Sequence, residues 1–350
     1  MKASDSAKRV LVVKMSSFGD IIHTFPALQD AAEHFPGITF DWVVEAPFQR
    51  LPKLSKHVDR VIVSGRRQWR KHRLSVKTIR EQRAFYRELR QVRYDAVIEV
   101  QYTRKGAKVV KKALGRKYGL DAKAANDADI AKSFDQAFFV SKSLPAIERS
   151  RKLFALALGY SECKNLDFGL ENVARSSHLF PQPFLVFIMS TTWATKHAPP
   201  KLWIELLAKA RKDGYRVLIP WLSPSEKQLA QEMIKQAGWG EVLPEPVEAD
   251  EWAKIMQDSR GTIGVDTGLL HLSGALDKPT VGIFGPTNPF LTGVRGKFAE
   301  NIYESVPCGP CMARTCGHSL GQICFDWMSA ERVWTAFNSQ MALCVDSTGL

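Results

Sequence analysis

No run in this chain approaches the roughly 18 consecutive apolar residues that a membrane-spanning helix requires. Residues 1–8, MKASDSAK, also lack the apolar stretch of a secretory signal, so the expectation is a chain that stays in the cytoplasm. Neither a low-complexity tract nor a repeat of short fixed period is present, which sets aside solenoids and long disordered arms. The pattern G-x-G-x-x-G is missing too, and with it the usual mark of a nicotinamide oxidoreductase. Acidic residues are scarce in two places. Residues 66–90 hold ten Arg or Lys against Glu81 and Glu88, and residues 104–117 hold seven with no acid at all. These blocks contribute +8 and +7, so the remainder of a chain with net charge +13 sums to −2. The basicity is therefore local, which suits either a solvated or nucleic-acid-binding face or an acidic ligand. No helix-turn-helix, zinc-finger or RNA-binding pattern accompanies it, and nucleic acid is not the expected partner.

What is present is length and a regular alternation. The chain has 350 residues, 45% of them apolar, enough for two cores rather than one. Residues 9–14 (RVLVVK) form the nearly continuous apolar run of a strand buried on both faces. They lead through MSSFGD into a helix expected to reach about Phe35, and residues 38–44 resume strand character. YDAVIEVQ at 94–101 reads as another strand, and AIERSRKLFALAL at 146–158 as a helix that Gly159 can stop. Residues 114–139 follow no clear period. Residues 161–183 carry few long apolar runs and end in PQP, as a linker would. From Phe184 the alternation restarts with a strand, a helix over about 199–212, a strand near 215–221, and helices near 225–237 and 250–258.

The segment 265–288, VDTGLLHLSGALDKPTVGIFGPTN, is the most informative. A strand stops at Asp266-Thr267-Gly268, a helix opens there and closes at Asp277-Lys278-Pro279, and a second strand follows. Unpaired N–H groups and the positive end of the helix dipole would then point at the turn, which suits an anionic ligand. From the residues alone, Asp266 and Thr267 equally suit plain helix capping.

Taken together, KMSSFGDIIHTFPAL near the start, FDWVVE at 40–45, RRQWRK at 66–71, STTWATKH at 190–197 and the segment just described resemble the lipopolysaccharide heptosyltransferases, in particular their type I group. The resemblance runs in order from residue 9 to about 335. It implies an α/β chain of the GT-B fold, with two Rossmann-like domains facing each other across a cleft. The expected division is residues 1–160 for the acceptor domain, 161–183 for the linker and 184–326 for the donor domain. Residues 327–350 would be a terminal helix and tail that cross back to the first domain. The implied reaction is inverting, metal-independent transfer of L-glycero-D-manno-heptose from ADP-heptose to the Kdo of Kdo-lipid A in inner-core biosynthesis. It would take place at the cytoplasmic face of the inner membrane and needs no cofactor beyond the donor. Another heptosyltransferase acceptor, either heptosylated core or protein, and a nucleotide-binding oxidoreductase are the alternatives.

The resemblance also assigns residues. Asp20 matches the catalytic base; by position alone, at the end of a strand and in the first turn of a helix, it is equally a favourable partner for the helix dipole. Ser16 and Ser17 would line the acceptor loop. Arg66, Arg70, Lys71 and Lys105, which follows Gln101, would meet the carboxylates and phosphates of the acceptor; Gln68 is an extra residue within the family's basic segment. On the donor side Lys196 would neutralise the leaving diphosphate with Thr191, Thr192, Thr267 and Gly268, unless it is only a solvated loop lysine. Glu226 would bind the ribose and Asp266 the sugar hydroxyls, while His271 either bonds the sugar or packs. No D-x-D pair is expected to bridge a magnesium to the donor. Among six cysteines, Cys308, Cys311, Cys316 and Cys324 form C-x2-C-x4-C-x7-C, which fits either a tetrahedral structural metal or small buried thiols in a tight loop.

Overall fold

The computed structural model describes residues 8–170, 173–174 and 182–348. Residues 1–7, residues 171–172 and 175–181 of the expected linker, and the last two residues of the expected tail lie outside the described residues. The chain divides into two compact units, Met1–Asn172 and Val173–Leu350.

The first unit is built from β1 (Arg9–Val13), α1 (Phe18–Ile22), α2 (Phe25–His34), β2 (Thr39–Glu45), β3 (Val58–Ser64), α3 (Arg66–Lys71), α4 (Val76–Leu89), β4 (Arg93–Glu99), α5 (Arg104–Val110), β5 (Leu114–Leu120), β6 (Gln136–Phe138) and α6 (Ala146–Leu158). Its six strands lie in the order β3-β2-β1-β4-β5-β6 and every pairing is parallel. β1 sits in the middle, Val10 between Phe40 and Ala96, which is why its apolar residues have no exposed face. α3, α4 and α5 close one side of the sheet through Trp69, Phe85, Leu89, Val109 and Val110.

The second unit repeats the plan with β7 (Phe184–Ile188), α7 (Pro200–Lys212), β8 (Arg216–Ile219), α8 (Pro224–Ala237), β9 (Glu241–Val242), α9 (Ala249–Asp258), β10 (Gly261–Val265), α10 (Gly268–Ala275), β11 (Thr280–Ile283), α11 (Pro289–Thr292), β12 (Ala299–Ile302) and α12 (Ala330–Thr348). Its parallel order is β12-β11-β10-β7-β8-β9, again with the unit's first strand and fourth strand adjacent at the centre. α12 seals this core with Val333, Trp334 and Phe337, and the Trp334 indole donates to Asp213 at 2.9 Å. A side chain at Gly261 would collide with the Phe337 ring, so glycine there is what lets the last helix lie close to β10. Among the described residues no helix is long and apolar enough to cross a membrane.

Two expectations change. The single helix expected to reach Phe35 is two helices broken at His23-Thr24, because Pro26 near the start of α2 has no N–H to continue the ladder. Thr24 N–H bonds to Ile21, and the Thr24 hydroxyl takes the Asp20 carbonyl at 2.9 Å instead. Residues 114–139, which follow no period, hold two strands and a short 3-10 turn at 128–133. Their pattern is hidden by glycine: a side chain at Gly115 would meet the Tyr94 carbonyl, and one at Gly119 the Phe134 ring.

The other side of the first sheet depends on a buried ion pair. Arg151 of α6 makes two bonds to Asp30 of α2, at 2.7 and 3.0 Å, and its guanidinium also donates to the carbonyls of Cys163 and Asn165. Removing one partner leaves the other buried and uncompensated. Arg151→Leu should therefore lose about 3–5 kcal/mol in urea unfolding, and the double variant Asp30→Leu/Arg151→Leu should recover most of it. Additive losses in the double variant would contradict this coupling.

Candidate active site

In an open parallel sheet the loops after the strands gather at the carboxyl edge, and a crevice opens where the chain reverses its direction across the sheet. In the first unit that point lies between β1 and β4, and in the second between β7 and β10. Each carries a cluster of charged side chains.

At the first point the loop after β1 turns sharply into α1. Asp20 Oδ2 accepts the Ser17 N–H at 2.9 Å and the Ser17 hydroxyl at 2.6 Å, while Oδ1 lies 3.4 Å from Lys14 Nζ. Lys14 is buried, donates to the Val100 carbonyl at 2.9 Å and lies over the Tyr102 ring. Gln101, just past β4, accepts both the Met15 and Ser16 N–H groups and so fixes the loop. Lys105 donates to the Ser16 hydroxyl at 2.7 Å and lies 3.8 Å from Glu45, which also binds Arg67.

These contacts set the charges. Desolvation pushes the Asp20 carboxyl up, but Lys14, the two Ser17 bonds and His23 outweigh it and hold the group well below the usual carboxylate range. Asp20 is thus ionised at neutral pH. Glu99, fully buried at the end of β4, behaves oppositely. Burial pushes it up to about 8, against the N–H groups of Tyr102, Thr103 and Gln101 and the charge of Lys14. Burial also lowers Lys105, opposed by Glu45 and reinforced by Arg67 and Arg66.

Of the sequence-predicted residues in this unit, the structure brings together Ser16, Ser17, Asp20 and Lys105, with Arg66 close enough for its charge to act on Lys105. Arg70 and Lys71 stand at the far end of α3, exposed. Lys14, Glu45 and Arg67 belong to the cluster and were not singled out by sequence. Lys14 and Glu45 could have been, since each is a charged residue closing an apolar strand run.

At the second point Lys196 Nζ pairs with Asp266 Oδ2 at 2.8 Å, and His271 Nε2 lies 3.4 Å from Oδ1. Burial pushes the Asp266 carboxyl up, but His271 and then Lys196 hold it well below its ordinary value. Lys196 is therefore no solvated lysine: it is largely buried between Asp266 and the Trp193 ring, 4.7 Å away. Thr267 caps α10 by accepting the Leu269 N–H, and Gly268 opens that helix. His197 Nε2 lies 2.7 Å from the Thr191 carbonyl and steadies that loop, leaving Thr192 exposed. Glu226 follows β8, the neighbour of β7. One of its oxygens accepts the Leu222 and Ser223 N–H groups, so it closes a capping box on α8.

The four-cysteine segment departs from the buried-thiol expectation. Cys308, Cys311 and Cys316 are exposed, which overturns the buried-thiol reading for three of the four. Among the described residues no three His, Cys, Asp or Glu side chains are grouped to hold a metal ion. Burial, then the neighbouring thiols, push Cys324 up to about 11. The segment also braces the Lys196 loop: Thr195 donates to the Ala313 carbonyl at 2.7 Å, Gln322 to the Thr195 carbonyl at 2.6 Å, and Arg314 lies over Trp193. The chain does contain one D-x-D, Asp127–Asp129, but it lies in the first unit and binds Arg104.

Two nucleotide-binding-type sheets, each with an ionic cluster at its switch point, define a class: two-unit α/β proteins built to bind ligands at those points. Residues 82–320 match glycosyltransferase family 9 (heptosyltransferase). Lipopolysaccharide heptosyltransferase 1 of Pseudomonas aeruginosa is 37% identical over 349 residues, covering 95% of this chain and 98% of that one. The structure is similar to that of the E. coli heptosyltransferase WaaC with ADP, at TM-score 0.83 and 34% identity, over 95% of this chain and 99% of that one. It is also similar to WaaC with ADP-2-deoxy-2-fluoro heptose, at TM-score 0.80 and 33% identity, over 94% and 99% of the two chains. The chain belongs to glycosyltransferase family 9, the heptosyltransferases, and has their GT-B fold.

The Lys14–Asp20 contact yields a direct test. The Asp20 carboxylate stabilises the fold above its unfolded pKa, and this contribution is lost as pH falls through the depressed folded value. In Lys14→Met the largest lowering influence disappears while desolvation remains. The Asp20 carboxyl carbon, followed by NMR against pH, should then titrate clearly higher than in the wild type. An unchanged midpoint would show that Ser17 and His23 set the charge without Lys14.

Proposed function

We propose that this heptosyltransferase moves L-glycero-D-manno-heptose from ADP-heptose onto the Kdo of Kdo-lipid A, the first heptose of the lipopolysaccharide inner core. The observation that carries the reading is an ionised, partly exposed carboxylate, Asp20, at one switch point and a half-buried cation, Lys196, beside a helix N-terminus at the other. The similarity to lipopolysaccharide heptosyltransferase 1 and to WaaC structures holding ADP and a fluorinated ADP-heptose supports the donor and the acceptor.

In this reading the first unit takes the acceptor. Ser16 and Ser17 place its hydroxyl near Asp20, and Lys105 with Arg66, Arg70 and Lys71 meet its carboxylates and phosphates. Asp20 removes the hydroxyl proton as the oxygen attacks the anomeric carbon from the side opposite the diphosphate. The new C–O bond forms, the bond to the phosphate oxygen breaks with its electron pair, and the anomeric centre inverts. The second unit holds the donor. The N–H groups at Thr267 and Gly268, the hydroxyls of Thr191 and Thr192, and Lys196 stabilise the charge growing on ADP, which supplies the role a divalent cation has elsewhere. Asp266 and His271 keep Lys196 in place and offer polar atoms to the sugar. Glu226 retains one carboxylate oxygen for the ribose while the other caps α8. The acceptor is a lipid, so the enzyme works as a peripheral protein on the cytoplasmic face of the inner membrane.

Incubation with ADP-heptose and Kdo-lipid A in the presence of EDTA should add the mass of one heptose, with an anomeric configuration opposite to that of the donor. Retained configuration, or transfer only when magnesium is restored, would contradict the mechanism. Transfer only to heptosylated core would move the enzyme to a later step.

A further inference from the structure

The two basic blocks differ in the folded chain. In the second, Arg104 and Lys117 pair with Asp129 and Asp135 of the segment 114–139, which follows no clear period. In the first, no acidic residue occurs from Arg66 to Arg80, and residues 70–77 are exposed without interruption. At the tip between α3 and α4, Leu74 is 94% exposed and Val76 68% exposed. Ile79, one turn along α4, is exposed as well.

α4 explains why these side chains point outward. Thr78, Phe85 and Leu89 form its buried stripe, and the Trp69 indole donates to Glu81 at 2.9 Å to hold α3 against it. A solvent-facing stripe follows helical spacing through Ile79, Arg83, Arg87 and Arg90, which with the partly buried Tyr86 line an open groove of about 640 Å³. A lone exposed Leu or Val needs no explanation. Three apolar side chains at one end of a cationic stripe do, because water rewards neither the apolar tip nor the crowding of like charges.

We propose that the α3–α4 tip and the outer face of α4 form a docking surface for an anionic bilayer. Leu74 and Val76 enter the headgroup layer, with Ile79 at its boundary. Arg83, Arg87 and Arg90 bind lipid phosphates, and the long side chains let their guanidinium groups reach the interface from the helix. Charge complementarity selects this occupant: the stripe is cationic and its end is apolar, whereas an aqueous polyanion matches the charge and leaves the tip unused. The surface uses none of Arg66, Arg70, Lys71 or Lys105, so docking is separable from recognition of the sugar acceptor.

The test is sedimentation of the full chain with vesicles that contain no lipopolysaccharide precursor, either phosphatidylcholine alone or with phosphatidylglycerol. The wild type should bind the anionic vesicles and leave the neutral ones in solution, with binding that weakens as salt rises. Leu74→Ser/Val76→Ser and Arg83→Gln/Arg87→Gln should each weaken binding by roughly tenfold or more, with unchanged thermal unfolding since all four side chains are exposed. Wild-type binding by both double variants would overturn the proposal. So would indifference of the wild type to anionic vesicles, or retention of single-stranded RNA in preference to them, which would make the face a nucleic-acid surface. Because no acceptor is present, these outcomes are independent of whether the proposed transfer reaction is correct.

Discussion

Both units depend on one constraint of parallel sheets: every strand delivers its following loop to the same edge. In β3-β2-β1-β4-β5-β6 the chain leaves β1 in one direction and later returns to its other side, so the loops after β1 and β4 diverge and open a crevice. The second unit does the same at β7 and β10. The buried apolar strands fix these edges rigidly. Short, strongly polar segments can then sit on them without having to fold on their own.

Electrostatics divides the work between the two edges. Lys14 is buried and Lys196 half-buried, and each faces an aspartate, but the pairs are poised differently. Asp20 is only partly buried and keeps a face towards solvent, whereas Asp266 is enclosed by Lys196 and His271. The first arrangement suits a carboxylate that must take a proton from something arriving. The second suits a carboxylate that holds a cation in place. Glu99, beside Lys14 and pushed up to about 8, is neutral or nearly so at neutral pH, which leaves the Lys14 charge for Asp20.

Much of this was legible in the sequence, and the limits have physical causes. β1, β4, α6 and the strand-helix-strand around Asp266 could be read because apolar periodicity and stop signals agree there, down to Gly159 ending α6 in the left-handed region. β5 could not, since two glycines and two cations in seven residues carry no alternation; their purpose is close approach to Tyr94 and Phe134. The break before α2 needed the competition between Pro26 and the helix ladder to be weighed, and Pro26 was read through. Asp20, Ser16, Ser17 and Lys196 were chosen by motif, but the residues that set their charge, Lys14, Glu45 and Arg67, come from other strands and helices. Sequence spacing does not reveal such contacts. The cysteine spacing suits a metal or a buried knot and does not reveal that three of the thiols are exposed or that the folded segment braces the Lys196 loop.

The central claim is that Asp20 acts on the proton and not merely on the helix. Asp20→Asn keeps an oxygen able to accept the Ser17 N–H and discards the base. Single-turnover heptose transfer by this variant, measured beside its ADP affinity, separates the two roles. The account predicts a transfer rate lower by a factor on the order of 10²–10⁴, with ADP affinity and thermal unfolding almost unchanged. A variant that transfers heptose at close to the wild-type rate, or that loses transfer only by unfolding, would contradict it and leave Asp20 as a helix cap.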